Sequence, residues 1–170
     1  LAPVVSLAKE IDRCILSEEE IADDASNGLR SVRRAMKTAA EKIRTQLNSL
    51  VVNSRTYLQD GVITMRNGRY CVPVKAEHKS NVPGMVHDQS SSGSTIFVEP
   101  LSVVKLNNEL RELEIREQKE IEAVLAALSN QTCDHLDELT LDLELIGELD
   151  FIFAKAALSR HYRGCEPRLN

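Results

Sequence analysis

Six polar residues between positions 66 and 81 have the types and spacing that suit contact with a polyanion. Arginine and lysine form charge-assisted hydrogen bonds to phosphate, and such contacts hold a nucleic acid without reading its bases. A strand face that merely meets solvent would carry the same residues. If all four bases in this group contacted phosphates, binding would weaken with salt with a logarithmic slope of about −3 to −4. The candidate nucleic-acid-binding residues are Arg66, Arg69, Lys75, His78, Lys79 and Asn81.

Catalytic patterns are weak in this sequence. A Gly-x-x-x-x-Gly-Lys loop is absent, which excludes a phosphate-cradling nucleotide site of that kind. The histidines at 78, 87, 135 and 161 lack metal-ligand spacing among themselves or with the cysteines. Ser92-Gly93-Ser94 resembles half of a nucleophile elbow, but a hairpin loop explains it better than a small hydrolase does. We therefore expect no enzyme activity, catalytic residue, cofactor or metal in this segment.

The candidate residues at 66 and 69 flank a predicted hairpin. Asn67-Gly68 predicts a type I′ turn, since that turn needs positive φ at both central residues. Strand alternation then puts the apolar residues of the two strands on one face of the sheet and the basic residues on the other. We expect the basic face to have little apolar surface to bury. The apolar face comprises Ile63, Met65, Tyr70 and Val72, and the basic face comprises Thr64, Arg66, Arg69 and Cys71, with Lys75 further along.

The next thirty residues predict a second pair of strands. Pro73 within the preceding strand indicates an edge position or a bulge, because proline cannot donate to a ladder. Val82-Pro83-Gly84-Met85 predicts a type II turn. Strands are then expected over 85–89 and 95–99, around a Ser/Gly-rich loop at 90–94.

Long helices are predicted on both sides of these strands. A short amphipathic helix over 3–15 precedes a helix that starts near Ser26, whose hydroxyl can cap it, and extends to about residue 58. Apolar residues recur every seven positions there, as in a coiled coil. Pro100 suits the first turn of a returning helix over 101–162, with a break or kink at Ser129-Asn130. Part of this longer helix must pack on residues 1–25 or on further chain.

The predicted fold class is therefore mostly α, with long antiparallel lever helices carrying a small antiparallel β clamp at about residues 60–100. The expected domains are N-terminal core and lever helices over 1–59, the β clamp tip over 60–100 and returning helices over 101–165. Apolar residues make up 42% of the sequence and aromatic residues 4%, which suits helices built on aliphatic ridges.

Charge is distributed unevenly around a net value of −5. Residues 26–58 carry seven Lys/Arg and one acid, Glu41, while residues 101–162 carry thirteen acids and six bases. Either the basic helix lies beside the acidic one and is neutralised within the fold, or some of its arginines face a polyanion.

Cysteines 14, 71, 133 and 165 form no Cys-x-x-Cys pair, which indicates reduced thiols and a cytoplasmic protein. No apolar run approaches the ~20 residues that span a bilayer, so no membrane contact is expected. The sequence starts at Leu1 on an apolar helical pattern, and we expect it to be an internal piece of a longer protein.

Three runs carry a resemblance to the clamp and lever region of the MutS family. They are 68–75 (GRYCVPVK), 83–100 with PGMVHDQS at its start and FVEP at its end, and 104–114 (VKLNNELRELE). They resemble in particular the bacterial branch that lacks a mismatch-reading domain and ends in a small MutS-related nuclease domain. Residues 147–151 (GELDF) resemble the helix just before that family's ATPase domain.

The resemblance implies a homodimer whose levers carry clamps that close around nucleic acid. It implies as partners branched DNA, in the suppression of recombination, or collided ribosomes, which are sensed and split, or both. The family's ATP and Mg²⁺ site and its nuclease residues have no matching positions here, so both activities would belong to other parts of the parent protein. The rival interpretation is a structural arm that docks on a protein partner, for example a ribosomal protein, without touching nucleic acid.

Overall fold

The computed structural model describes residues 3–164, which form four α-helices, four β-strands and one short 3₁₀ segment. These residues group into two compact units. One is Ile21–Ala123, here called the sheet unit, and the other, the helical unit, combines Leu1–Glu20 with Val124–Asn170 as far as they are described. The elements are α1 Val5–Cys14, α2 Asn27–Asn53, β1 Thr64–Arg66, β2 Arg69–Lys75, the 3₁₀ segment Ala76–Asn81, β3 Gly84–Gln89, β4 Thr95–Pro100, α3 Leu101–Asp134 and α4 Leu136–Tyr162.

Helix α2 begins as its sequence predicts. The Ser26 hydroxyl accepts a hydrogen bond from the Leu29 amide at 2.9 Å, which satisfies one of the free amides at the helix start. The apolar residues that recur every seven positions lie on the buried face of α2, and Leu29 and Ile43 among them are fully buried. The helix ends at Asn53 and not at residue 58, because Leu58 pairs as an extended residue with Val74 of β2.

Helix α2 and the first part of α3 run antiparallel in the sheet unit. Ser26 Oγ lies 3.2 Å from a Glu120 carboxylate oxygen, and Arg33 Nε lies 2.7 Å from Glu117. Apolar residues of both helices enclose the same core as one face of the sheet. From the helices this core takes Val32, Ala39, Ile43, Leu47, Val103, Leu110 and Leu113, and from the strands it takes Val72, Val74, Ile96 and Val98.

The four strands form one antiparallel sheet in the order β1-β2-β4-β3. Asn67 and Gly68 have φ values of 52° and 72°, which confirms the predicted type I′ turn, and Met65 pairs with Tyr70 as expected. The second pair of strands also forms where the sequence predicts it. The prediction of a mostly α fold with a small antiparallel clamp-like sheet is therefore confirmed.

Two local predictions in the sheet are wrong. Pro73 lies in β2, an interior strand, where Pro73 O accepts a hydrogen bond from Gln59 N at 3.0 Å. The Pro73 nitrogen, which has no hydrogen to donate, faces residues 57–59, as the Pro73 carbonyl does. Their pairing with β2 ends at Gln59, so the proline costs a single hydrogen bond at the end of that pairing. Gly84 has no positive φ and makes no type II turn. It is glycine because a Cβ there would collide with the backbone carbonyl of Glu99 on β4.

The returning helix breaks at His135, not at Ser129-Asn130, which remain helical. Thr132 Oγ1 donates to the Leu128 carbonyl at 2.8 Å, and the His135 amide bonds to Thr132 O, one residue short of the helical spacing. The break therefore lies where the amide hydrogen bond shortens from four residues to three, five residues after Asn130.

The helical unit buries little of its apolar surface. Leu7 and Cys14 of α1 and Val124 and Leu128 of α3 are buried, whereas no described residue of α4 is. Among residues 3–164, no helix combines the length and apolar character needed to cross a membrane. The predicted division into 1–59, 60–100 and 101–165 stays a prediction, and Cys165 and the end of the last domain lie outside the described residues.

Candidate nucleic-acid interface

The sheet curls so that its two edges meet on the basic face. The Asn67 side-chain amide, at the β1–β2 turn, donates to the carbonyl of His87 on β3 at 3.0 Å. Arg66 Nε lies 3.2 Å from the carboxylate of Asp88, also on β3. Although β1 and β3 are the outermost strands, their side chains are therefore in contact, and the basic face becomes the concave side of the sheet.

A buried carboxylate, Glu99 of β4, lies at the centre of this concave side. One of its oxygens lies 3.0 Å from Arg69 Nη1 and 2.8 Å from the donating Nδ2 of Asn107. The other oxygen lies 2.6 Å from His87 Nε2. Glu99 is fully buried. A buried charge needs partners of this kind, and Arg69 is consequently held against the sheet by Glu99.

Asn107 connects this cluster to α3. Its side-chain oxygen accepts from the Tyr70 amide, and its Nδ2 also donates to the Tyr70 carbonyl, both at 3.2 Å. Asn107 is 1% exposed. Glu99, His87 and Asn107 are not among the residues predicted from the sequence. An acid within a strand of apolar residues is a signal for Glu99, and an asparagine at an apolar position of the α3 repeat is a signal for Asn107, whereas His87 has no such signal.

Arg66 has a second partner besides Asp88. Its guanidinium carbon lies 4.1 Å from the centre of the Phe97 ring, a cation–π contact. Cys71 and Pro73, which share this face by strand alternation, are buried. The expectation that the basic face has little apolar content to bury is therefore wrong, because the curl of the sheet covers part of it.

The Cys71 thiol belongs to the same face. Burial, together with the negative charge of Glu99, raises the pKa of Cys71 from 9.0 to about 11. A thiolate is the reactive form of cysteine, so Cys71 is inert at neutral pH. Cys133, in contrast, is exposed.

We expect iodoacetamide at pH 8 to alkylate Cys133 and to leave Cys71 unmodified until the protein unfolds. Mass spectrometry of the two cysteine peptides, with and without urea, measures this difference. Since the unfolded thiol of Cys71 loses its proton at lower pH than the folded one, its contribution to stability is full below pH 9 and is lost as the pH rises toward about 11. Equal alkylation of both cysteines in the folded protein would contradict the burial of Cys71.

The other four candidate residues lie in or beside the 3₁₀ segment, and we call residues 75–81 the basic turn. Lys75 Nζ donates to the Thr56 carbonyl at 3.2 Å, just beyond the end of α2. The His78 ring lies 5.3 Å from the Tyr57 ring and its Nε2 lies 3.5 Å from Glu77. Lys79 and Asn81 are exposed. The six predicted residues thus form two groups: Arg66 and Arg69 have acidic partners within the sheet, whereas both lysines of the turn have none among residues 3–164.

Neutralisation of the basic helix by the acidic one is seen at Arg33. Its guanidinium lies 2.7 Å from Glu117 of α3 and 2.5 Å from Asp23. Burial on its own lowers the pKa of Arg33, but the hydrogen bonds to Glu117 and Asp23 outweigh it and raise the pKa above its ordinary value. Arg33 is thus a permanently charged link between α2 and α3.

Within residues 3–164, no three His, Cys, Asp or Glu side chains are placed together as metal ligands. The described site is an electrostatic surface on a curled sheet at the end of an antiparallel helix pair.

Comparison with known proteins defines the family. No protein-family model matches the chain. It is 58% identical over 172 residues to the Endonuclease MutS2 of Agathobacter rectalis and 56% identical over 172 residues to that of Lachnospira eligens. The Endonuclease MutS2 of Caldanaerobacter subterraneus is 47% identical over 170 residues. Each match covers 100% of this chain and 22% of the relative's length. The chain belongs to the MutS family, as a segment of a MutS2-like protein.

Proposed function

We propose that this segment is a clamp element that binds the phosphate backbone of a nucleic acid without reading its sequence. The observation that carries the proposal is the basic turn, where Lys75 and Lys79 have no acidic partner among residues 3–164 and Lys79 is exposed. The relatives whose matches cover the whole of this chain are named endonucleases, and an endonuclease cuts nucleic acid.

The turn residues have distinct roles in this proposal. Lys75 and Lys79 supply positive charge to phosphate oxygens, and His78 and Asn81 supply shorter-range hydrogen bonds. Arg66 is about two-fifths exposed at 39%, so its guanidinium can contact a phosphate while it stays stacked on Phe97. Arg69, held by Glu99, keeps the strand beneath these groups in place and adds positive charge at its exposed edge.

The physiological ligand in this proposal is branched DNA, as in suppression of recombination, or the RNA of a collided ribosome. Both present the same phosphodiester backbone. The parent protein would act in the cytoplasm as a homodimer, with ATP, Mg²⁺ and the nuclease residues outside this segment. The segment itself would contribute contact and geometry and no catalytic step.

A salt titration of binding tests the proposal. In the full-length protein, Lys75→Gln/Lys79→Gln should reduce the logarithmic salt slope for a labelled four-way DNA junction by about 2, since each lost phosphate contact removes about 0.9. The matched control is Lys105→Gln/Lys119→Gln, which removes two exposed lysines from α3 of the same unit. Equal slopes for the wild type and both variants would refute the contact.

A protein-docking arm is the second candidate. Met65 on β1 and Met85 and Val86 on β3 are exposed at 49%, 45% and 42%, so the edge strands offer apolar surface of the kind that protein interfaces use. If the sheet docks on a protein, the turn variant retains the wild-type salt slope for the DNA junction.

A further inference from the structure

The outer face of α2, in the sheet unit, carries a row of basic residues. At 100° per residue, positions 30, 34, 37, 41, 44 and 48 share one face, opposite the buried stripe. All six are exposed. Within the described residues, three of its bases form no ion pair, and we call these three the basic track: Arg34, Lys37 and Arg44.

The track differs from an ordinary solvated helix face. On α3, the exposed bases stand among acids, as in the Arg111–Glu114 pair at 2.8 Å. On α2, the face has one acid, Glu41, against four bases. Arg34 has like charges four residues before it, at Arg30, and three residues after it, at Lys37, and such pairs destabilise a helix, whereas Glu41 lies between Lys37 and Arg44. Arg30 lies 3.7 Å from Asp24, and the track residues lack even this partner. A polyanionic ligand would relieve the repulsion.

The composition of the face favours phosphate over an acidic protein surface. Each of the six positions is polar, whereas protein interfaces centre on aromatic and aliphatic side chains. From Arg34 to Arg44 the helix rises about 15 Å, which is roughly four phosphate steps of a strand. Arginine and lysine at this spacing can follow a backbone without contacting bases.

The track also leads toward the basic turn. Helix α2 ends at Asn53, and Lys75 of the turn bonds to the carbonyl of Thr56, three residues later. Both surfaces belong to the sheet unit. We propose that the outer face of α2 is a second phosphate-binding surface, on which the backbone of the bound nucleic acid runs along Arg34, Lys37 and Arg44. This inference rests on the proposed function and extends the contact from the turn to the helix.

The test uses the full-length protein with two probes, a labelled four-way DNA junction and a labelled ribosomal RNA hairpin of equal charge. The variant Arg34→Gln/Lys37→Gln/Arg44→Gln keeps residues of good helix propensity. Its control, Lys105→Gln/Arg116→Gln/Lys119→Gln, removes three exposed bases from α3. For the track variant we expect the salt slope to fall by about 2–3 and the Kd at 100 mM salt to rise about 10–100-fold. The control should bind both probes as the wild type does. The probe for which the track variant loses more affinity, DNA or RNA, identifies the nucleic acid whose backbone the track binds.

Three outcomes would overturn the inference, and they are distinguishable. A track variant with the wild-type slope, alongside a basic-turn variant that loses affinity, refutes the track and leaves the proposed function standing. A wild-type protein without salt-dependent binding to either probe refutes both. If the track variant loses affinity for poly-L-glutamate but not for either nucleic acid, the surface recognises an acidic protein instead.

Discussion

Replacing Glu99 with glutamine should lower the free energy of unfolding of this chain by about 1.5–3 kcal/mol, since Arg69, whose side chain is 24% exposed, loses a hydrogen bond to an ionised acceptor. The neutral amide keeps the shape and can still accept from Asn107, but the Arg69 guanidinium then faces no negative charge. Urea unfolding followed by circular dichroism at 222 nm measures the loss.

Two controls make the Glu99 result specific. Asp88→Asn breaks the more exposed pair with Arg66 and should cost less than about 1 kcal/mol. The double variant Arg69→Met/Glu99→Gln should be less destabilised than the sum of its single variants, because each single change leaves the other charge unpaired. A loss below about 1 kcal/mol for Glu99→Gln would mean that the buried cluster does not hold the sheet together.

Asn107→Ala should lower the free energy of unfolding by about 2–4 kcal/mol. The change removes hydrogen bonds to the Tyr70 amide, the Tyr70 carbonyl and Glu99, and leaves these buried groups without their partner. The same urea titration measures the effect. We also expect amide exchange at Tyr70 to accelerate, because its N–H loses its acceptor.

The neighbouring residue supplies the control for Asn107. Asn108 has the same chemistry and helical context but is exposed, so Asn108→Ala should stay within about 0.5 kcal/mol of the wild type. If both variants are equally stable, the link between α3 and β2 through Asn107 contributes nothing to stability.

Local sequence was enough to predict the elements that depend on neighbouring residues. Asn67-Gly68 needs only its own backbone preferences to define the hairpin, and from the hairpin follow the pairing of Met65 with Tyr70 and the facing of Arg66 and Arg69. Ser26 likewise caps α2 through a bond to Leu29 three residues away.

The partners of the candidate arginines could not be predicted in the same way. Asp88 and Glu99 lie 22 and 30 residues from Arg66 and Arg69, on other strands. Alternation assigns Arg66 and Arg69 to one face, but it does not predict that the sheet curls until β1 and β3 meet on that face. The same limit explains Pro73, whose missing amide is tolerated because of where the pairing of residues 57–59 stops.

Helix α4 shows a different limit. Apolar residues occur on nearly every side of it, a pattern typical of a buried helix, yet none of those the structure describes is buried. The sequence predicted that part of the returning helix must pack on residues 1–25 or on further chain. This chain spans 22% of the length of its relatives, and the burial of α4 is therefore measured with only that part of such a protein present.

Lysine footprinting of the full-length protein, with and without a four-way DNA junction or ribosomal RNA, tests the central claim most directly. We predict that bound nucleic acid protects Lys37, Lys75 and Lys79 from acetylation, while Lys105 and Lys119 of α3 react as in the free protein. Equal reactivity of all five lysines with and without nucleic acid, under conditions where binding is complete, would contradict a phosphate-binding surface on the sheet unit.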